Sequence, residues 1–275
     1  MKIQYLGTAA AEGWPALFCK CEACEKARKL GGKNIRTRSQ SIVDDKLLID
    51  MPADTYLHAL KYGIDFSCLQ DILITHSHDD HFYPADIIYK APPYAHGGAV
   101  MNIKVYGNSV IAGMLKEAMN QSGIPEIGSY ITPVYVEPFV PFHAGEYNVT
   151  ALLADHMPNE YCYIYIIEKD GKSLLYAHDT GIFPQKTCDY LAGMKFDAVS
   201  LDCTFVLQDN ERGHMGLPNA HKIKQRMLCD GAADLNTKFM INHFSHNGGQ
   251  THEEFADRAE QCGFLTAYDG MTVEF

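Results

Sequence analysis

No apolar stretch in these 275 residues approaches the roughly 20 that a membrane-spanning helix needs. The chain is not basic either. Its 23 Lys and Arg face 34 Asp and Glu, for a formal net charge of −11. A protein that grips nucleic acid through its phosphates more often carries the opposite sign, so a long polyanion is not the expected partner, although a small nucleotide is compatible. The opening Met1-Lys2-Ile3-Gln4-Tyr5-Leu6-Gly7-Thr8 reads as a strand and a turn. It lacks the apolar region and cleavage site of a secretory leader, so a cytoplasmic location is expected. There is no low-complexity tract, no repeat and no Pro/Ser linker. Residues 1–275 therefore read as one domain, with an ordinary 47% of apolar residues to build a core.

A disulfide framework is also excluded as the default, because the nine cysteines are an odd number and the expected compartment is reducing. Six are scattered (Cys68, Cys162, Cys188, Cys203, Cys229 and Cys262) and are expected to be buried, small apolar residues. Three are packed into Cys19-Lys20-Cys21-Glu22-Ala23-Cys24 and need another explanation.

What the chain does have is histidine, 13 in all, and three of them fall in one heptapeptide. Thr75-His76-Ser77-His78-Asp79-Asp80-His81 follows the apolar run Ile72-Leu73-Ile74. His76 and His78 point the same way if the segment is still extended. Asp80 and His81 sit where the chain must turn and can face a second point, so one loop can serve two metal ions.

Strand patterns recur at 2–6, 41–49, 71–75, 103–106, 149–154, 161–168, 173–176, 198–201, 239–242 and 272–275. Helical patterns fall near 54–62, 109–121, 220–231 and 252–262. Asp170-Gly171 is a hairpin signal. Tyr161, Tyr163 and Tyr165 alternate with apolar residues and read as packing groups. Two strand-rich blocks with helices between and after them imply an α/β protein with two sheets face to face and helices outside. Four of the strand patterns end in ligand-type residues: His76, then Asp155-His156, then His178-Asp179, then His243. Strand ends of this kind form a rim of ligands on a rigid scaffold.

In order and context, His76-x-His78-x-Asp80-His81, His156, Asp179 and His243 resemble the metallo-β-lactamase-fold hydrolases over nearly the whole chain. The resemblance implies an αββα sandwich of two mixed sheets and two divalent ions (zinc, manganese or iron). It implies His76, His78 and His156 on the first ion, Asp80, His81 and His243 on the second, and Asp179 bridging. It also implies that Asp50 supports the metal loop from behind. His178 and Asp155 have no counterpart in that pattern and are expected to stand aside, as is Asp79. Two dications less Asp80, Asp179 and a bridging hydroxide leave about one positive charge, which suits a phosphodiester monoanion. A redox di-iron version of the fold has Glu where this chain has His78, so hydrolysis is expected.

Cys19-x-Cys21-x-x-Cys24 can hold three corners of a tetrahedral zinc. His246 is the candidate for the fourth, with Cys68 or another distal residue as competitor. This combination resembles the phosphoribosyl cyclic phosphodiesterases (PhnP-like), and the pyrroloquinoline-quinone biosynthesis B proteins share it. The resemblance implies a structural zinc, a small or cyclic phosphodiester as substrate and a histidine that protonates the leaving group. It assigns that role to His214, with His221 as competitor, and pairs it with Asp80 in catalysis. It also permits a homodimer. Thioester, lactone or lactam hydrolysis, transfer-RNA 3′-end cleavage and a non-catalytic cofactor-biosynthesis role are the alternatives on the same fold. From Lys20 to Arg38 seven basic residues face two acidic ones. Arg36, Arg38, Ser39 and Gln40 are the members expected to approach the site.

Overall fold

The computed structural model describes residues 1–97 and 101–275. Its first sheet contains β1 (Lys2–Gly7), β2 (Gln40–Val43), β3 (Leu47–Ile49), β4 (Asp71–Leu73), β5 (Ile103–Gly107) and β6 (Ile131–Tyr135), side by side in that order. The second contains β7 (Pro141–Ala144), β8 (Tyr147–Leu153), β9 (Tyr163–Lys169), β10 (Lys172–Ala177), β11 (Ala198–Asp202), β12 (Lys238–Asn242) and β13 (Leu265–Thr266). The last strand, β14 (Thr272–Glu274), returns to the first sheet and pairs with β1. Six helices accompany them: α1 (Glu22–Leu30), α2 (Thr55–Tyr62), α3 (Ser109–Ser122), α4 (Gln185–Leu191), α5 (Leu217–Cys229) and α6 (His252–Gln261).

Three apolar layers follow from the alternation along the strands. Tyr5, Leu47 and Leu73 of one sheet meet Tyr147, Tyr165 and Tyr176 of the other between the sheets. Ile42, Leu48 and Ile72 turn outward against Ile111 and Leu115 of α3. Leu175, Val199 and Ile241 turn outward against α5 and α6, through Ile223 and Phe255. The result is the expected αββα sandwich, and the buried tyrosines are fixed at their polar ends. Tyr165 Oη donates to the Ile74 carbonyl (2.6 Å) and Tyr163 Oη to that of Val136 (2.8 Å), while Tyr161 lies outside the strand and is exposed. No helix among the described residues is long and apolar enough to cross a membrane.

Several expectations change. The 41–49 run is a hairpin, because Asp44 and Asp45 take φ of 50° and 58° and reverse the chain. The three strands without a sequence signal, β6, β7 and β13, are each at a sheet edge. Edge strands tolerate Pro133 and Pro141, which lack an N–H and argue against a strand elsewhere. Helices α1 and α4, of nine and seven residues, were also not expected. Cys68 and Cys229 are exposed and are not apolar fillers, in contrast to buried Cys162 and Cys203. Asp170-Gly171 does form the tight turn between β9 and β10.

Candidate metal centre

β3 runs parallel to β4 in the first sheet, and β10, β11 and β12 run parallel to one another in the second, so in each sheet these carboxyl ends share one edge. Ligands in α/β sheets collect at such ends. Here Asp50 follows β3, residues 76–81 follow β4, Asp179 follows β10, Asp202 ends β11 and His243 follows β12. Asp50, Asp179 and His243 hold positive φ of 64°, 56° and 65°. Left-handed backbone at a non-glycine costs about 1–2 kcal/mol each, and such strain persists where surrounding contacts over-determine it.

Two groups of potential ligand atoms match the expected sets, each within 4.8 Å of one another: His76, His78, His156 and Asp179, and Asp80, His81, Asp179 and His243; a third, Asp179, Asp202, His214 and His243, overlaps them. Their hydrogen bonds set the ring tautomers. Asp50 Oδ1 accepts from the Thr75 N–H (2.8 Å), and its Oδ2 takes the His81 Nδ1–H (2.7 Å). Burial opposes a charge on His81, but Asp80, Asp50 and Asp179 push its pKa well above the ordinary value; an ion would displace the second proton and leave the lone pair on Nε2. Thr204 Oγ1 donates to Asp202 Oδ2 (2.9 Å), so it accepts from His243 Nδ1 (2.8 Å), and His243 Nε2 also carries a lone pair. These two nitrogens lie 3.3 Å apart, with Asp179 Oδ2 2.7 Å from the first and 3.4 Å from the second. In the other group His156 Nδ1 donates to the Gly213 carbonyl (3.1 Å). Its Nε2 then faces His78 Nδ1 at 3.2 Å, which is 2.9 Å from His76 Nε2. Imidazole nitrogens and carboxylate oxygens so close in a buried place must be bridged by protons or by a cation. Asp179 Oδ1 is buried, and His214 Nδ1 lies 2.9 Å from it as an ion-pair contact without hydrogen-bond geometry. The donor set fits borderline divalent ions.

The carboxyls are ready for such ions. Burial alone would raise the pKa of Asp80 and Asp179, but His81 and His243 beside them hold both well below the usual carboxylate range. His178 faces away, to Ser200 Oγ (2.7 Å), and burial keeps it neutral. Asp155 does not stand aside. Its Oδ2 receives the Gly213 N–H (3.1 Å) and lies 3.1 Å from Arg212 Nε, which ties down the loop that leads to His214.

That loop brings His214 to the wall of a cleft of about 250 Å³ over the two groups, together with Glu12, Phe205 and Asn247. His214 Nδ1 is 2.9 Å from Asp179 Oδ1 and 3.4 Å from Asp202 Oδ2. Burial opposes its positive charge, but these two carboxylates override it and push the imidazole up to about 11. His221 lies on α5 and does not line the cleft. Asp202, Thr204 and Glu160 were missed in the sequence. Asp202 receives the Asp179 N–H (3.1 Å) and the Met215 N–H (2.7 Å), and Glu160 holds the Ser77 N–H (2.9 Å) of the metal loop. Asp202 had a usable signal, since it ends a strand pattern as the ligands do.

A separate group joins Cys19, Cys21, Cys24 and His246, again within 4.8 Å. Cys21 sits at the N-terminus of α1, where the Cys24 N–H and His246 lower its thiol to about 6. Burial raises the Cys24 thiol to about 11. Cys21 Sγ is 3.4 Å from His246 Nδ1. Cys68 lies in an exposed turn, outside this group.

The basic segment does not reach the cleft. Arg36 is buried and donates to Thr8 Oγ1 (2.7 Å) and the Ala267 carbonyl (2.7 Å). Arg38 pairs with Asp54 (3.0 Å), and Ser39 and Gln40 are fully buried. A strand entering a sheet draws these side chains inward, whatever the charge pattern of the segment.

Similarity to known proteins follows the same outline. Ribonuclease Z of Listeria monocytogenes is 28% identical over 149 residues, which cover 53% of this chain and 47% of that protein, so the match spans about half the length of this relative. Among solved structures, a diphosphatase of the PhnP family superposes with a TM-score of 0.76 at 23% identity, over 100% of this chain and 97% of its own. Zinc-bound PqqB of Methylobacterium extorquens gives 0.72 at 16%, over 100% of both chains. These likenesses establish the metallo-β-lactamase-type hydrolase fold. The model of one family matches residues 39–267, and the chain belongs to that family, the Anti-Pycsar protein Apyc1 family.

Proposed function

We propose that this protein is a dinuclear-metal phosphodiesterase acting on a small phosphodiester, cyclic ones included. The observation that carries the reading is the convergence of imidazole nitrogens and two carboxylates into two sets that share Asp179. In this reading His76, His78 and His156 hold one ion, and Asp80, His81 and His243 hold the other. Two divalent ions there would polarise the phosphoryl oxygens and make a water nucleophilic near neutral pH. Asp80 accepts a hydrogen bond from the attacking water and keeps it aimed at phosphorus. His214, held at Nδ1 by Asp179 and Asp202, delivers a proton from Nε2 to the leaving oxygen. Cys19, Cys21, Cys24 and His246 would hold a structural zinc, four ligands that would leave water no place on it.

The ribonuclease relatives and the diphosphatase neighbour favour phosphorus over carbon as the centre attacked. The cleft of about 250 Å³ favours a small substrate. The test is a panel: bis-aryl phosphate, 2′,3′- and 3′,5′-cyclic nucleotides, cyclic ribose phosphates, a thioester and a lactone. Metal-dependent turnover of the phosphodiesters is expected. Turnover confined to the carbon esters overturns the reading.

A further inference from the structure

Gln40 was expected at the substrate and is instead inside the protein, behind the metal loop. It begins a chain of buried polar contacts that the proposed chemistry does not use. Thr55 Oγ1 donates to the Pro52 carbonyl (2.6 Å), so its oxygen accepts from Gln40 Nε2 (2.9 Å). The second proton of that amide goes to the Asp50 carbonyl (2.9 Å). With both amide protons placed, Gln40 Oε1 accepts, and its partner at 2.6 Å is His58 Nδ1. The His58 proton is thereby assigned to Nδ1. His58 Nε2 lies 2.7 Å from Thr37 Oγ1, which is also 2.7 Å from Asp269 Oδ2. Two contacts need two protons and the hydroxyl supplies one, so His58 and Asp269 hold the other between them.

The far end of this chain matters. Asp50 has φ of 64°, and its carboxylate receives the Thr75 N–H and the His81 Nδ1–H. Its carbonyl is the group that Gln40 grips. We propose that His58 is a positioning residue of the metal centre. Through Gln40 it fixes the Asp50 backbone, and with it the carboxylate that orients His81. The inference rests on the reading of the cluster as a metal centre only for its consequence, since the contacts themselves involve no metal. Burial disfavours charge on both His58 and Asp269. The charged groups around this pair are Asp54, Lys61 and, through Thr8, Arg36.

Metal-free protein labelled with ¹⁵N tests this by NMR, with two substitutions. His58→Asn places an amide N–H where Nδ1–H was, and His58→Leu fills similar volume without a donor. In wild type the His58 ring is expected to be protonated at Nδ1, and the His81 Nδ1–H to exchange slowly with solvent. His58→Asn should keep that exchange rate. His58→Leu should speed it about tenfold and weaken cobalt(II) binding by a similar factor, the size typical of lost support behind a ligand. An unprotonated Nδ1 in wild type, a Leu variant that exchanges like wild type, or equal losses in Asn and Leu would each overturn the proposal. If His58→Leu does not fold, Gln40→Met removes the same grip on Asp50 and carries the same expectation. Failure of the hydrolase reading would show separately, as wild type without metal-dependent turnover.

Discussion

The two candidate metal sites of this protein are built in opposite ways. At the centre, the ligands hang from the ends of strands, and the outward nitrogens of His81, His243 and His156 are each held by a protein acceptor. At the cysteine knuckle, three ligands come from a loop and the first turn of a short helix. Behind its histidine lies Glu12, 3.6 Å away. The difference teaches that the sandwich pre-organises the centre, whereas the knuckle, on the proposed reading, would depend on a bound zinc for its shape. Chelation should therefore take the two central ions and leave a folded protein, and loss of the knuckle metal should loosen the 16–30 region.

Four substitutions probe this contrast, from the largest effect to the smallest. Asp179→Ala removes the ligand common to both central sets. Turnover should fall below detection, and metal content by elemental analysis should drop from about three per chain to about one, the knuckle zinc. His214→Ala touches no proposed metal position alone. It should slow diesters with alkoxide leaving groups about 100-fold and activated aryl diesters far less, and equal losses would remove its acid role. His246→Ala should lose the tightly held zinc and lower Tm by about 5 °C, the shift that about 2 kcal/mol gives in a domain of this size, with the central pair still assembled. If the central pair is lost first, His243 and His246 have exchanged roles. The smallest effect concerns pH. Burial depresses His58 to about 4, against about 6.5 in an unfolded chain, so the unfolded state gains a proton first on acidification. Stability should be lost as pH falls from 6.5 to 4, and His58→Asn should lose about 2 kcal/mol less over that window in denaturant titrations.

The same contrast explains how much could be read from the sequence. The heptapeptide at 75–81, the strand ends at His156, Asp179 and His243, and the Cys19–Cys24 spacing are local patterns, and local patterns survive in a string of letters. The fold was legible because the central strands alternate strongly and the edge strands, which do not, carry little of the core. What was not legible came from contacts distant in sequence. Arg36 and Gln40 looked like substrate contacts because their segment is basic, but the pairing of β1 with β2 turns Gln40 inward and the bridge to Trp14 holds Arg36 inside. Asp155 and Asp202 act through backbone N–H groups of the 213–215 loop, which no spacing rule announces. Glu160 reaches Ser77 across 83 positions.

If the buried convergence of histidines and aspartates is a two-ion hydrolytic centre for phosphodiesters, turnover must follow its metal content. The most direct test is hydrolysis of bis(p-nitrophenyl) phosphate by protein stripped with chelator and titrated with zinc or manganese. The account predicts that activity returns in step with about two ions per chain and is absent from Asp179→Ala. Full activity in the stripped protein, or two bound ions with no phosphodiester turnover and with thioester or lactone hydrolysis instead, would contradict it.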